Sequence, residues 1–152
     1  REAYLNHWKK RDFLSLPVAE RDREFHVDLT VRVEQDIVAK NGVRVVQAGS
    51  EFNPLDVIKT DKRWLIFNPN SEPQMEIVER VLEESDGRPV LLIVSELNRE
   101  TGWRQLRDLM AKFRSPIYVL EELMVERFQL QRLPSLVEQD GRLIKVKEIG
   151  IF

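Results

Sequence analysis

The sequence predicts an α/β protein: a mixed sheet sandwiched by helices, preceded by a small β-hairpin subdomain and an N-terminal helical arm. Three observations carry this. Beyond Asp61, short apolar runs alternate with amphipathic helical patterns, the rhythm of a layered sheet-and-helix domain. Near the C-terminus, Asp140-Gly141 separates two strand-like segments and marks a closing hairpin. From Phe25 the pattern before Asp61 is β, with Phe25, Val27, Leu29, Val31 and Val33 alternating against polar residues. The expected division is an arm and linker over 1–22, a β-hairpin subdomain over 23–58 and the main domain over 59–152.

In chain order, Tyr4, Leu5 and Trp8 fall at helical spacing ahead of the basic run Lys9-Lys10-Arg11, and Pro17 stops that pattern. This is the arm, either lying on its own domain or offering Tyr4 and Trp8 to a partner. The alternation from Phe25 to Val33 predicts one half-buried strand. Ile37-Val38 and Val43-Arg44-Val45-Val46 flank Asn41-Gly42, whose tolerance of positive φ favours a tight hairpin turn. Gly49 and Pro54 punctuate the loop that follows. Trp64-Leu65-Ile66-Phe67 is a short buried strand. Ser71 with Gln74 three residues on is a capping-box signature, Pro73 is tolerated in the first turn, and Met75, Val78, Val81 and Leu82 give the helix its buried stripe. Val90-Leu91-Leu92-Ile93-Val94 suits a central strand covered on both faces. Thr101 can cap a second helix carrying Trp103, Leu106, Met110 and Phe113 on one side. Ile117-Tyr118-Val119-Leu120 is a further strand, 122–130 a brief helix, and 135–138 with 143–148 the terminal hairpin.

Composition excludes several functions. The 24 basic and 26 acidic residues of this 152-residue chain nearly cancel, so no basic face points to nucleic acid. No apolar run approaches the roughly 20 residues that span a bilayer. Without cysteine there is neither a disulfide nor a thiolate nucleophile nor a thiolate metal site. His7 and His26 stand far apart, with no ligand set of metal spacing, and no Gly-rich phosphate loop is present. No cofactor is expected. The cluster Glu83, Glu84, Asp86 reads as a solvated acidic face.

The order strand, helix, strand, helix, proline-led strand and terminal hairpin over 61–149 resembles the thioredoxin fold. Ser71-Glu72-Pro73-Gln74 stands where such enzymes keep Cys-Gly-Pro-Cys at the N-terminus of a helix. Both sulfurs are missing, so the resemblance implies a scaffold without redox chemistry. The segment ending Arg132-Leu133-Pro134-Ser135-Leu136-Val137 is similar to the fold's cis-proline segment, which makes Leu133-Pro134 the candidate cis bond. From Phe25 onward the chain also resembles the TraW family, on Val31-Arg32-Val33-Glu34-Gln35-Asp36-Ile37, Ala48-Gly49, Asn53-Pro54-Leu55-Asp56, Phe67-Asn68, Arg127-Phe128 and Pro134. Its second half is similar to TrbC. These resemblances imply a periplasmic protein of an F-type conjugative type IV secretion apparatus, its leader either removed or outside this sequence. Its work would be pilus assembly, with a TrbC-like partner.

Three functions follow for testing. The first is a non-catalytic interaction protein, with Phe52, Leu55, Asp56, Tyr4 and Trp8 as candidate partner contacts. The second is an enzyme using Ser71 or the acidic cluster Glu83, Glu84, Asp86; Ser71 lacks a neighbouring base in the sequence and reads better as a helix cap. The third is a chaperone-like module binding an extended peptide or pilin in a groove near Pro134.

Overall fold

The structure is a computed structural model and describes residues 13–151. The arm residues Tyr4 and Trp8 lie outside the described residues. Among the described residues, ten strands, three α-helices and one 3-10 turn follow one another: β1 Arg23–Val27, β2 Val31–Arg32, β3 Ile37–Val38, β4 Arg44–Val46, β5 Glu51–Phe52, the 3-10 turn Pro54–Asp56, β6 Arg63–Phe67, α1 Glu72–Glu83, β7 Val90–Val94, α2 Gly102–Phe113, β8 Ile117–Val119, α3 Glu122–Phe128, β9 Ser135–Asp140 and β10 Leu143–Glu148.

Six strands form the main sheet in the order β1-β10-β9-β6-β7-β8. Strands β6, β7 and β8 run parallel, as their helical connections require, and β9, β10 and β1 run antiparallel. The fold is therefore α/β with a mixed sheet. Strand periodicity sends Leu65 and Phe67 to one face, with Leu92 and Val94, where Ile77, Val78 and Val81 of α1 and Leu106 and Leu109 of α2 cover them. Ile66, Ile93, Val137, Ile144 and Val146 fill the opposite face under α3 and the segment carrying Leu14 and Leu16. The continuous apolar run of β7 is explained by burial from both sides.

One expected strand is broken. The Thr30 N–H and hydroxyl both donate to Asp28 Oδ1, at 2.9 and 2.6 Å, and this local turn replaces a ladder bond. The alternating segment thus splits into β1, which pairs with β10 along five residues, and β2, which pairs with β5. Strand β1 falls inside the expected 23–58 subdomain yet is an edge of the main sheet. The turn at Asn41-Gly42 does join two antiparallel strands, β3 and β4, and Gly42 takes φ of 83° there. None of the residues 28–52 whose side chains are described is buried. Thr101 precedes α2 without a side-chain cap bond; Asn98 Oδ1 accepts the N–H groups of Glu100 and Thr101 instead. Helix α3 ends two residues early because Gln129 turns into the left-handed region, φ 52°.

Candidate interaction site

Strand β6 ends at Phe67, and a tight turn delivers the chain to the N-terminus of α1. Ser71 is the N-cap, extended at φ −100° and ψ 112°, and its Oγ accepts the Gln74 N–H at 3.4 Å. Pro73 falls in the first turn, where a missing N–H removes no helical bond. Glu72 beside it complements the helix dipole. The reciprocal half of the capping box is different from the sequence expectation. Gln74, only 1% exposed, turns inward, and its Oε1 accepts the Asn68 N–H at 2.8 Å, while the Ser71 N–H goes to the Asn68 carbonyl. The glutamine closes the turn on itself because its side chain reaches past the cap to the Asn68 N–H, three residues before Ser71. Ser71 Oγ and Gln74 Oε1 are both occupied in holding residues 68–74.

Among the described residues, no base is bonded to Ser71 Oγ. Its Oγ meets the Gln74 amide, and His26 is committed elsewhere, with Nε2 2.9 Å from Asp140 Oδ2. His7 is outside the described residues. Among the described residues, no three His, Asp or Glu side chains converge to hold a metal ion, and no helix is long and apolar enough to cross a membrane.

The Leu133–Pro134 peptide bond is cis. It directly precedes β9, whose Ser135 pairs with Ile66 one residue before β6 ends, so it lies at the same end of the sheet as the α1 cap. Here the backbone is already paired by the chain itself. The Leu133 N–H donates to the Pro17 carbonyl at 2.9 Å, and the Leu133 carbonyl accepts the Ala19 N–H at 2.8 Å, a parallel bridge centred on Val18. The Pro134 carbonyl accepts Ile149 N–H, and Ile151 N–H donates to the Ala19 carbonyl. Asp22 Oδ1 accepts the Gly150 N–H at 2.8 Å. Residues 15–22 therefore form a strap over this end of the sheet, clamped by the C-terminal tail. Glu96 Oε1 joins strap to site by accepting both Ser15 Oγ and Asn68 Nδ2, each at 3.0 Å.

Asn53, Pro54, Leu55 and Asp56 have structural roles that their spacing alone does not reveal. Asn53 caps the 3-10 turn through Oδ1 on the Leu55 N–H and donates Nδ2 to the Arg142 carbonyl, both at 2.9 Å. Arg142 grips Asp56 with two bonds of 2.7 and 2.8 Å. This fastens the loop to the β9–β10 turn. Leu55 corrects an expectation: at 7% exposed it is a core residue rather than a surface anchor. Phe52 is 45% exposed and faces Val31 across the β2–β5 pair, so it remains accessible.

The hydrogen bonds and charge of Arg142 hold the Asp56 carboxyl below the ordinary aspartate range. A depressed folded pKa stabilises above the unfolded value, and that contribution is lost as pH falls through the folded one. Acid should therefore release the Asp56–Arg142 clamp. The Arg142 Nε–H resonance is expected to shift toward its free position below the ordinary aspartate range and to sit there at every pH in Asp56→Asn. An unchanged resonance down to pH ~2, well under the reference pKa, would contradict the clamp.

Sequence reasoning missed a groove of about 760 Å³ between β8 and α3, lined by Trp64, Tyr118, Leu123, Met124, Arg127 and Phe128. Trp64 and Phe128 form its floor, ring centroids 6.0 Å apart. Strand placement creates this groove, and nothing in the segment Ile117-Tyr118-Val119-Leu120 announces that its strand lies at an edge. Comparison with known proteins returned no matching family model, no matching curated protein and no matching solved structure.

Proposed function

We propose that this chain is a non-catalytic interaction protein on a thioredoxin-like scaffold, acting in the periplasm in conjugative pilus assembly with a TrbC-like partner. The observation that carries the non-catalytic reading is the engagement of Ser71 and Gln74 in closing their own turn, opposite a cis-proline segment at the same end of the sheet. A nucleophilic hydroxyl needs a base within hydrogen-bond reach, and among the described residues none is bonded to Ser71 Oγ. The conjugative role rests on the TraW-like segments alone. A peptide-binding reading of the Pro134 groove is disfavoured, because strand addition needs free backbone groups and those of Leu133 are bonded to Pro17 and Ala19.

The test is complementation. Deleting the gene in its native host should abolish conjugative transfer, and the Ser71→Ala chain should restore it fully while losing about 1 kcal/mol of stability as a helix-cap variant. Transfer that survives the deletion contradicts the conjugative role. A Ser71→Ala chain of undiminished stability that fails to complement points instead to chemistry at that hydroxyl.

A further inference from the structure

Strand β8 closes one side of the main sheet, and among the described residues no strand pairs its outer edge. Its inner face is fixed by the bond from Leu120 N–H to the Val94 carbonyl at 2.8 Å and by the register Ile93↔Tyr118 and Val94↔Val119. Alternation along a parallel strand then directs the backbone groups of Tyr118 toward β7 and those of Ile117 and Val119 outward. Two residues thus present unpaired N–H and C=O groups at a sheet edge. Native edges are usually blunted by charge, proline or cover. Here Pro116 shares the parity of Tyr118, so its missing N–H does not impair outward pairing. The edge also carries apolar surface: Tyr118 is 51% exposed and Leu123, beside it at the groove, 59%.

We infer that this edge pairs with the same edge of a second copy, antiparallel and centred on Tyr118. The charges flanking the strand select that occupant. Centred on Tyr118, an antiparallel register sets Ile117 against Val119 of the other copy and brings the Arg114 flank of the strand, at the close of α2, toward the Glu122 flank, where α3 begins. Arg114 and Glu122 are both exposed, and neither has an ion pair among the described residues. The segment is therefore complementary to itself in charge when reversed, as a two-fold contact demands, whereas a parallel pairing in register would oppose like charges. Each Ile117–Val119 pair exchanges two backbone bonds. Tyr118 meets its symmetry mate as a non-hydrogen-bonded pair, Cα atoms about 4.5 Å apart, over the Leu123 side of the groove. Two six-stranded sheets become one continuous sheet.

The chain's lack of cysteine makes the test direct. A Cα separation of that size lies within the usual disulfide range of roughly 4.4–6.8 Å. Full-length Tyr118→Cys should convert to a disulfide-linked dimer under mild oxidation far faster than Glu24→Cys, an exposed control on the opposite sheet edge, β1. In sedimentation, the cysteine-free protein should dimerise with rising concentration. Arg114→Glu should abolish that dimer, and Arg114→Glu with Glu122→Arg should restore it. A chain that sediments as a monomer at every concentration, with Tyr118→Cys oxidising no faster than the control, overturns the proposal. So does a dimer indifferent to the single charge reversal and to the position of the cysteine. Neither result touches the conjugative reading, on which this inference does not rest.

Discussion

Phe67→Ala is expected to destabilise the protein by about 4 kcal/mol, the usual cost of emptying a fully buried aromatic site. Phe67 is completely buried at the end of β6 and meets Phe113 of α2 edge-on, with centroids 6.5 Å apart. The deletion leaves a void that α1 and α2 cannot both collapse into, because Leu65, Val78 and Val94 are already packed without solvent exposure around them. At this chain length the melting midpoint should fall by roughly 8–16 °C. Since the next residue begins the turn that carries Ser71 and Gln74, hydrogen exchange at Asn68 should accelerate as well. A loss below about 1 kcal/mol would mean that α2 does not pack on the sheet as described.

Gly150→Ala is the second large effect, and its origin is different. A Cβ at this position would stand 2.5 Å from the Arg21 Cα, 2.6 Å from its carbonyl carbon and 2.9 Å from its nitrogen. All three are backbone atoms, so no side-chain rotation relieves the overlap. Either the C-terminal tail or the strap must move. Moving either strains the bonds that join Gly150 to Asp22 and Ile151 to Ala19, and through Ala19 the cover over Leu133. Overpacking of this kind costs about 3 kcal/mol, measurable as a shifted denaturation midpoint. Faster amide exchange at Ala19 and Leu133 should accompany it. If the stability of Gly150→Ala is unchanged, the tail does not cross the strap.

The layered α/β core was legible because it rests on short-range patterns. The apolar runs at β6 and β7, the Asp140-Gly141 turn and the stripe of α1 each state their own periodicity, and burial followed it, except that Ile77 is buried with Val78 and Val81 while Met75 and Leu82 are only partly so. The cap at Ser71 was legible for the same reason. What the sequence hid depends on contacts between distant segments. The strap is a proline-bearing stretch that looks like a linker until Leu133, more than a hundred residues away, bonds to both sides of Val18. Leu55 looks like an exposed loop residue until Arg142 and Asn53 draw its turn against the hairpin. The alternation of residues 25–33 promised one strand, and a single local bond pair at Asp28 and Thr30 divided it between two sheets. Gln74 shows the limit within a motif. The spacing identified the helix start, but two backbone amides, Asn68 and Ser71, lay within reach of its side chain, and the tighter turn won.

The site end of the sheet is consequently a closed surface. Its hydroxyl and amide side chains hold the turn and the Leu133 backbone is paired with the strap, whose Val18 is itself exposed; further accessible apolar side chains include Phe52 and Val31 on the β2–β5 pair and Tyr118 and Leu123 at the β8 edge. An interaction protein needs such surfaces more than it needs a cleft.

The central claim, that this scaffold works by holding a partner and not by chemistry, is tested most directly by co-expressing the full chain with a TrbC-like protein and purifying through a tag on one of them. The account predicts a stable complex of the two, retained when Ser71 is replaced by alanine and weakened when Phe52 is replaced by aspartate. Two proteins that elute separately, each folded and at micromolar concentration, would contradict it.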